Sequence, residues 1–288
     1  MRQAQRSWGS SGRPIGDRVR TGAISMQTNE ISKLNQDGWD RRVEEQDVWT
    51  RPVSAEQTRR ARLGDWSVVL TPNKPVPRDW FGMVTGKDIL CLASGGGQQG
   101  PILSAAGARV VVCDASAKQL AQDAAVARRD GLSLVVRQGF MHDLSMFADG
   151  QFDLIFHPVS NCFAPDIEPV WRECFRVLRP GGLLLAGFMN PVVYIFDSEA
   201  LARDQLMVRF PLPYADVIDL PPDELKQRIA RDHTVEFSHT LETQIGGQLR
   251  AGFVLTDMFE DKDGAAETGR SRYMSTCLAT RALKPGAV

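Results

Sequence analysis

From Lys87 onward, apolar runs of strand length alternate with stretches of helical spacing. DILCLA (88–93), ARVVVCDA (108–115), LSLVVRQG (132–139), FDLIFH (152–157) and LLLAGF (183–188) are short continuous apolar runs, the pattern of strands buried on both faces. Between them lie helical segments with end signals. Pro101 suits a first helical turn, Ser116 with Gln119 caps a helix, and Gly131 supplies a stop. A further apolar stripe runs through Val170, Cys174, Val177 and Leu178 before Pro180-Gly181-Gly182. Alternating strands and helices predict an α/β fold, a doubly wound parallel sheet covered on both faces.

The alternation is interrupted on both sides. Residues 39–80 carry Trp39, Trp49, Trp66 and Trp80 among arginines and prolines, too much apolar surface for a solvated linker. Ser54 with Gln57 predicts a short helix ending near Gly64. Residues 29–86 therefore read as a segment that packs on the core or roofs a pocket, and residues 87–288 as the main domain. Within it, 191–235 holds aromatics and prolines without strand–helix rhythm and reads as an insertion after the fifth strand. Leu241, Ile245 and Leu249 predict one more helix, and GFVLTDMFED (252–261) and RYMSTCLATRA (272–282) two closing strands. Residues 1–28 carry five arginines against a single acid, Asp17, and read as a disordered tail with Met26 as an alternative start; an Arg-rich transit peptide is the competing reading.

Composition narrows the partners. A net charge of -1 provides no general field for nucleic acid, and there is no apolar run of about 18 residues to cross a membrane. The five cysteines show neither a CxxC pair nor metal-ligand spacing, which points to a reducing cytoplasm and no metal. Nothing in the pattern fixes an oligomeric state.

The candidate chemistry starts at CLASGGGQQG (91–100), where Gly95, Gly97 and Gly100 form G-x-G-x-x-G after the first strand. Such a turn lets backbone approach a nucleotide, and Asp114, ending the second strand, is placed to accept ribose hydroxyls. NAD and S-adenosylmethionine (SAM) share that ribose, so the turn and the aspartate do not separate them.

The later segments do. FDLIFHPVSN, a helix, VLRPGGLLLAGF and a final strand pair resemble the class I SAM-dependent methyltransferases, in their small-molecule branch, over about Lys87 to Ala282. The resemblance implies a Rossmann-like seven-stranded sheet ending in an antiparallel hairpin, SAM as cofactor, and methyl transfer to a small acceptor. The competing readings are a SAM-binding protein without catalysis and an NAD(P)-dependent oxidoreductase. The family's glycine motif, D/E-x-G-x-G-x-G, places Cys91 at its acid and Ala93 at its first glycine. Ser94, Gln98 and Gln99 are the polar side chains available to replace that acid. The implied cofactor contacts are Ala93, Ser94, Gly95, Gly97, Gln98, Asp114, Ala115, Met141, His142, Asp143 (to the adenine amine) and His157, with Phe140 stacking on the ring. His157 is also the candidate general base, its ordinary pKa lying near 6.5. Ser160, Asn161, Tyr194, Phe210, Tyr214 and His239 are the expected acceptor pocket. HPVS at 157–160 departs from the Asn- or Asp-Pro-Pro-aromatic stretch of amino-methylating DNA enzymes, which argues against a nucleic-acid acceptor.

Overall fold

The computed structural model describes residues 26–264 and 269–286. The expected tail therefore lies outside the described residues as far as position 25. Seven strands form one mixed sheet in the order β3-β2-β1-β4-β5-β7-β6. They are β1 (Asp88–Leu92), β2 (Arg109–Asp114), β3 (Leu134–Gln138), β4 (Phe152–His157), β5 (Leu178–Met189), β6 (Val254–Asp261) and β7 (Cys277–Leu283). The first five run parallel, and β7 pairs antiparallel with both β5 and β6. This is the Rossmann-like sheet with a terminal hairpin.

The period of two along each strand builds two cores. Ile89 and Cys91 of β1 join Leu154 and Phe156 of β4 on one face, with Leu103, Trp80 and Phe81. Leu90 and Leu92 join Ile155 on the other, with Trp171, Cys174 and Leu184. Strand order reverses between β1 and β4, which opens a crevice at their carboxyl ends. The helices that frame it are α1 (Thr28–Glu44), α2 (Ala55–Arg62), α3 (Gln99–Ala105), α4 (Ala117–Asp130) and α5 (Glu168–Val177). Ser54 and Gln57 form the expected capping box of α2, and Gly131 ends α4 at φ +60.

The helix α1 was not legible in the sequence. Its buried residues are Ile31, Asn35 and Gly38, and that stripe carries too little apolar surface to stand out. Ile31 packs on Ala215, Val217, Leu225, Val235 and Phe237, so α1 docks on the insertion and a small third core forms between them. Asn35 is held from three sides: its amide donates to the carbonyls of Phe163 and Val235, and its oxygen accepts from the Val235 N–H. Gly38 is required there, because a Cβ would lie 2.1 Å from the His233 carbonyl oxygen.

A second departure concerns residues 241–250. They form a π turn (Glu242–Gly246) and a short helix, α6 (Gly247–Arg250), with the expected apolar face turned outward. Leu241 and Leu249 are 43% and 51% exposed, whereas Gln244 and Gln248 are buried. Trp171 leaves room only for glycine at 247, a Cβ there falling 2.5 Å from its ring. The buried glutamines are tolerated because they are bonded: Asn161 donates to Gln244, Gln248 donates to the Gln244 carbonyl, and Thr280 donates to Gln248.

Candidate active site

The crevice opens into a cavity of about 570 Å³. Its floor is the turn after β1. Ala93 enters that turn at φ +47, Gly96 at φ +104 and Gly97 at φ +71. A side chain at Gly95 would collide with Gln119 (2.6 Å) and approach the Asp114 carboxyl (3.1 Å), so the backbone there lies directly against the acid. Asp114 accepts the N–H of Gly95 and of Ser116, each at 2.9 Å. Burial pushes its carboxyl up while those two N–H groups hold it down. Asp40 of α1 accepts the Ser116 hydroxyl at 2.5 Å and the Lys118 N–H at 3.1 Å. The amino-terminal helix is thereby tied to the rim beside Asp114.

Ala93, Ser94, Gly95, Gln98, Asp114, Ala115, Met141 and His142 all line the cavity. Phe140 lines it too, stacked on His142 with ring centroids 5.5 Å apart, and burial lowers the His142 pKa. Gln119 is a lining residue that the sequence suggested only as a cap partner. The Ser94 hydroxyl and the Gln119 amide oxygen are buried with no hydrogen-bond partner among the described residues. Unpaired polar atoms beside a glycine turn and a carboxylate fit a nucleoside with an amino-acid tail.

Four of the expected cofactor residues are bonded or placed otherwise than a direct contact would need. Gln98 reaches the cavity, but its amide donates to the carbonyls of Val48 and Arg51, so it anchors the amino-terminal segment instead of replacing the missing acid. Gly97 does not line the cavity; a side chain there would meet Pro52 and Gln122. Asp143 is exposed, outside the lining, and accepts the Ser145 N–H. His157 is fully buried beneath the cavity, with Nδ1 3.0 Å from the Leu92 carbonyl and Nε2 2.9 Å from the Asn161 side chain. Burial lowers its pKa, so the ring is neutral. Both ring nitrogens face oxygens that can only accept, and a neutral ring has a single N–H to share between them. Neither nitrogen is turned to the cavity.

Away from the turn the lining includes Ser160, Tyr194, Phe210 and Tyr214, with Trp39 and Phe196. Tyr214 stacks on Tyr194 at 5.7 Å and packs on Phe210 at 4.9 Å. Asn161 and His239 lie outside the lining. Asn161 belongs to the buried polar chain beneath the cavity, and His239 Nε2 donates to the carbonyls of Asn161 and Ala164 while burial lowers its pKa to about 4.

Charged residues that carried no motif complete the wall. Arg228 is shared among Asp216 (3.3 Å), Asp232 (2.9 Å) and Glu236 (3.1 Å). Glu236 also accepts the Tyr194 hydroxyl at 2.8 Å, and Asp216 accepts that of Tyr214 at 2.6 Å. Burial and the Glu236 charge push the Tyr194 phenol up, so it stays a donor. Only the fold brings these residues together.

The methyltransferase-domain family model matches residues 90–186. An uncharacterized methyltransferase from Bacillus subtilis is 46% identical over 256 residues, covering 89% of this chain and 99% of that protein. Among solved structures, a SAM-dependent methyltransferase from Mesorhizobium loti matches with a TM-score of 0.54 at 18% identity over 72% of this chain and 94% of its own. A Burkholderia thailandensis 1,6-didemethyltoxoflavin N1-methyltransferase matches with a TM-score of 0.56 at 13% identity, over 90% of this chain and 91% of that one. With the hairpin-ended sheet, the glycine turn and Asp114 already in place, these matches identify the chain as a member of the class I SAM-dependent methyltransferases.

Proposed function

We propose that the chain methylates a small, partly apolar acceptor enclosed between α1, the insertion and the carboxyl ends of β4 and β5. One observation carries this reading: a single cavity continues from the Asp114 turn to the aromatic wall of Tyr194, Phe210 and Tyr214. Its volume falls in the range of about 300–1,000 Å³ usual for small-molecule sites. The solved Burkholderia relative, whose bound ligands are 1,6-didemethyltoxoflavin and S-adenosylhomocysteine (SAH), supports a small acceptor for this fold. The net charge of -1 supports an acceptor other than nucleic acid. The free, buried cysteines support the reducing, cytoplasmic setting.

SAM, when bound, supplies an already activated methyl group. The chain then has mainly to align donor and acceptor. Asp114, Ser94 and Gln119 hold the cofactor end, and Phe140 with His142 offers a flat face for a purine. Tyr194, Tyr214 and Phe210 orient the acceptor and exclude water. For an acceptor that must lose a proton, Glu236 is the proton-accepting group: Arg228, shared with Asp216 and Asp232, pairs with one of its oxygens, and the Tyr194 hydroxyl bonds the other.

The test is incubation with methyl-labelled SAM and fractionated small metabolites, in the native protein and in Tyr194→Ala. The reading expects one labelled small product, reduced at least about tenfold in the variant. Label confined to macromolecules would refute it.

A further inference from the structure

Beneath the glycine turn lies an acid that neither the contacts above nor the mechanism uses. Asp123, on α4, is fully buried, and among the described residues neither of its carboxyl oxygens has a hydrogen-bond partner. A side chain at Gly100 would stand 3.4 Å from its Oδ1, so the start of α3 closes over it. The N–H groups of Gly96 and Gly97 lie near enough to favour its charged form without bonding it in good geometry. The ionisable groups facing it are Asp114 from β2 and Cys91 from β1. Both are acids, so among the described residues no cation is recorded as balancing it. A sealed, unpaired carboxyl group is costly in a native protein and calls for a role.

We propose that Asp123 is a positioning residue for the glycine turn, whose ionisation draws the Gly96 and Gly97 amides onto its carboxylate and sets how tightly the turn holds the cofactor. The proposal rests on the cofactor lying at the turn. Burial raises the Asp123 pKa to about 8, so the group changes charge near neutrality. While the acid is neutral, the Gly96 N–H stays on the Gln119 carbonyl at 3.2 Å; once ionised, the acid draws both amides into charge-assisted bonds, Gly96 exchanging that carbonyl for the carboxylate. Both glycines already sit at positive φ, so the turn can shorten onto the acid without new backbone strain.

SAH titrated calorimetrically into the native protein and into Asp123→Asn at pH 6.5 and 8.5 decides the matter. The native protein is expected to bind about sixfold more tightly at the higher pH, which is what a one-unit fall in the acid's pKa on binding gives between those two pH values. Asp123→Asn, an uncharged isostere, should show no such gain. Amide exchange at Gly96 and Gly97 in the ligand-free protein should be slower than in Asp123→Asn at pH 8.5 and equal to it at pH 6.5. Equal pH responses in the two proteins would overturn the proposal. A flat native curve would do so even if the variant failed to fold. Native protein that binds no SAH at either pH would overturn the cofactor reading and this inference together.

Discussion

His157 and Asn161 are bonded side chain to side chain at 2.9 Å in the interior, one turn below the cavity that their sequence neighbours Pro158 and Ser160 line. The pair continues through Gln244 and Gln248 to Thr280, so a polar chain links β4, the π turn and β7 inside an apolar core. Such a chain stabilises when complete and is costly when broken. His157→Phe is therefore expected to lower the unfolding free energy by about 2–3 kcal/mol, since the Leu92 carbonyl and Asn161 lose their partner. The pH profile of turnover should keep its shape. Urea unfolding and a pH–rate series check both, and a lost pH limb with unchanged stability would return His157 to the chemistry.

Asp114 makes the opposite kind of contribution. Its two amide bonds shape the turn, and its remaining lone pairs face the cavity. Asp114→Ala should weaken SAM binding by at least about 1.5 kcal/mol, the lower end for a bond to a charged group, while the protein stays folded. Equilibrium dialysis with labelled SAM measures it.

Gly38 tests the roof. With the His233 carbonyl 2.1 Å from where a Cβ would sit, Gly38→Ala must push α1 off the insertion. Trp39 travels with it, away from its edge contact with Phe163. The expected outcome is red-shifted tryptophan emission and about 1–3 kcal/mol lower stability, the usual cost of overpacking. A fluorescence spectrum and a melting curve suffice.

The Asp123 acid also predicts how stability depends on pH. Its folded pKa of about 8 lies above the ordinary carboxylate value near 3.9, so between those values the folded chain keeps a proton that the unfolded chain has released. That contribution is complete below about pH 4 and declines as pH rises toward about 8. Asp123→Asn removes the decline and should melt at a higher temperature than the native protein at pH 8. Thermal unfolding across pH 5–9 gives the comparison.

The sheet was largely legible because its strands are buried on both faces and announce themselves as apolar runs; β4 falls on the residues expected for it. The turn and Asp114 were legible because glycine spacing and a strand-ending acid are local signals. Asn35, Arg228 and Glu236 were not, since each depends on partners far away in the chain, Asn35 meeting Val235 across 200 positions. The histidines misled for a related reason. His157 and His239 are buried and bonded to backbone carbonyls, a role with no sequence signature. At 241–250 the periodicity itself pointed to the wrong face, because bonded glutamines took the interior and left the leucines to solvent.

SAM held at the turn formed by Ala93 to Gly97, against Asp114, is the placement on which the proposed function depends. Titration calorimetry of the native protein with SAM, SAH and NAD addresses it directly. Micromolar-range dissociation constants are expected for SAM and SAH, weakened in Asp114→Ala, with little or no heat from NAD. Selective binding of NAD, or SAM binding untouched by Asp114→Ala in a folded protein, would contradict it.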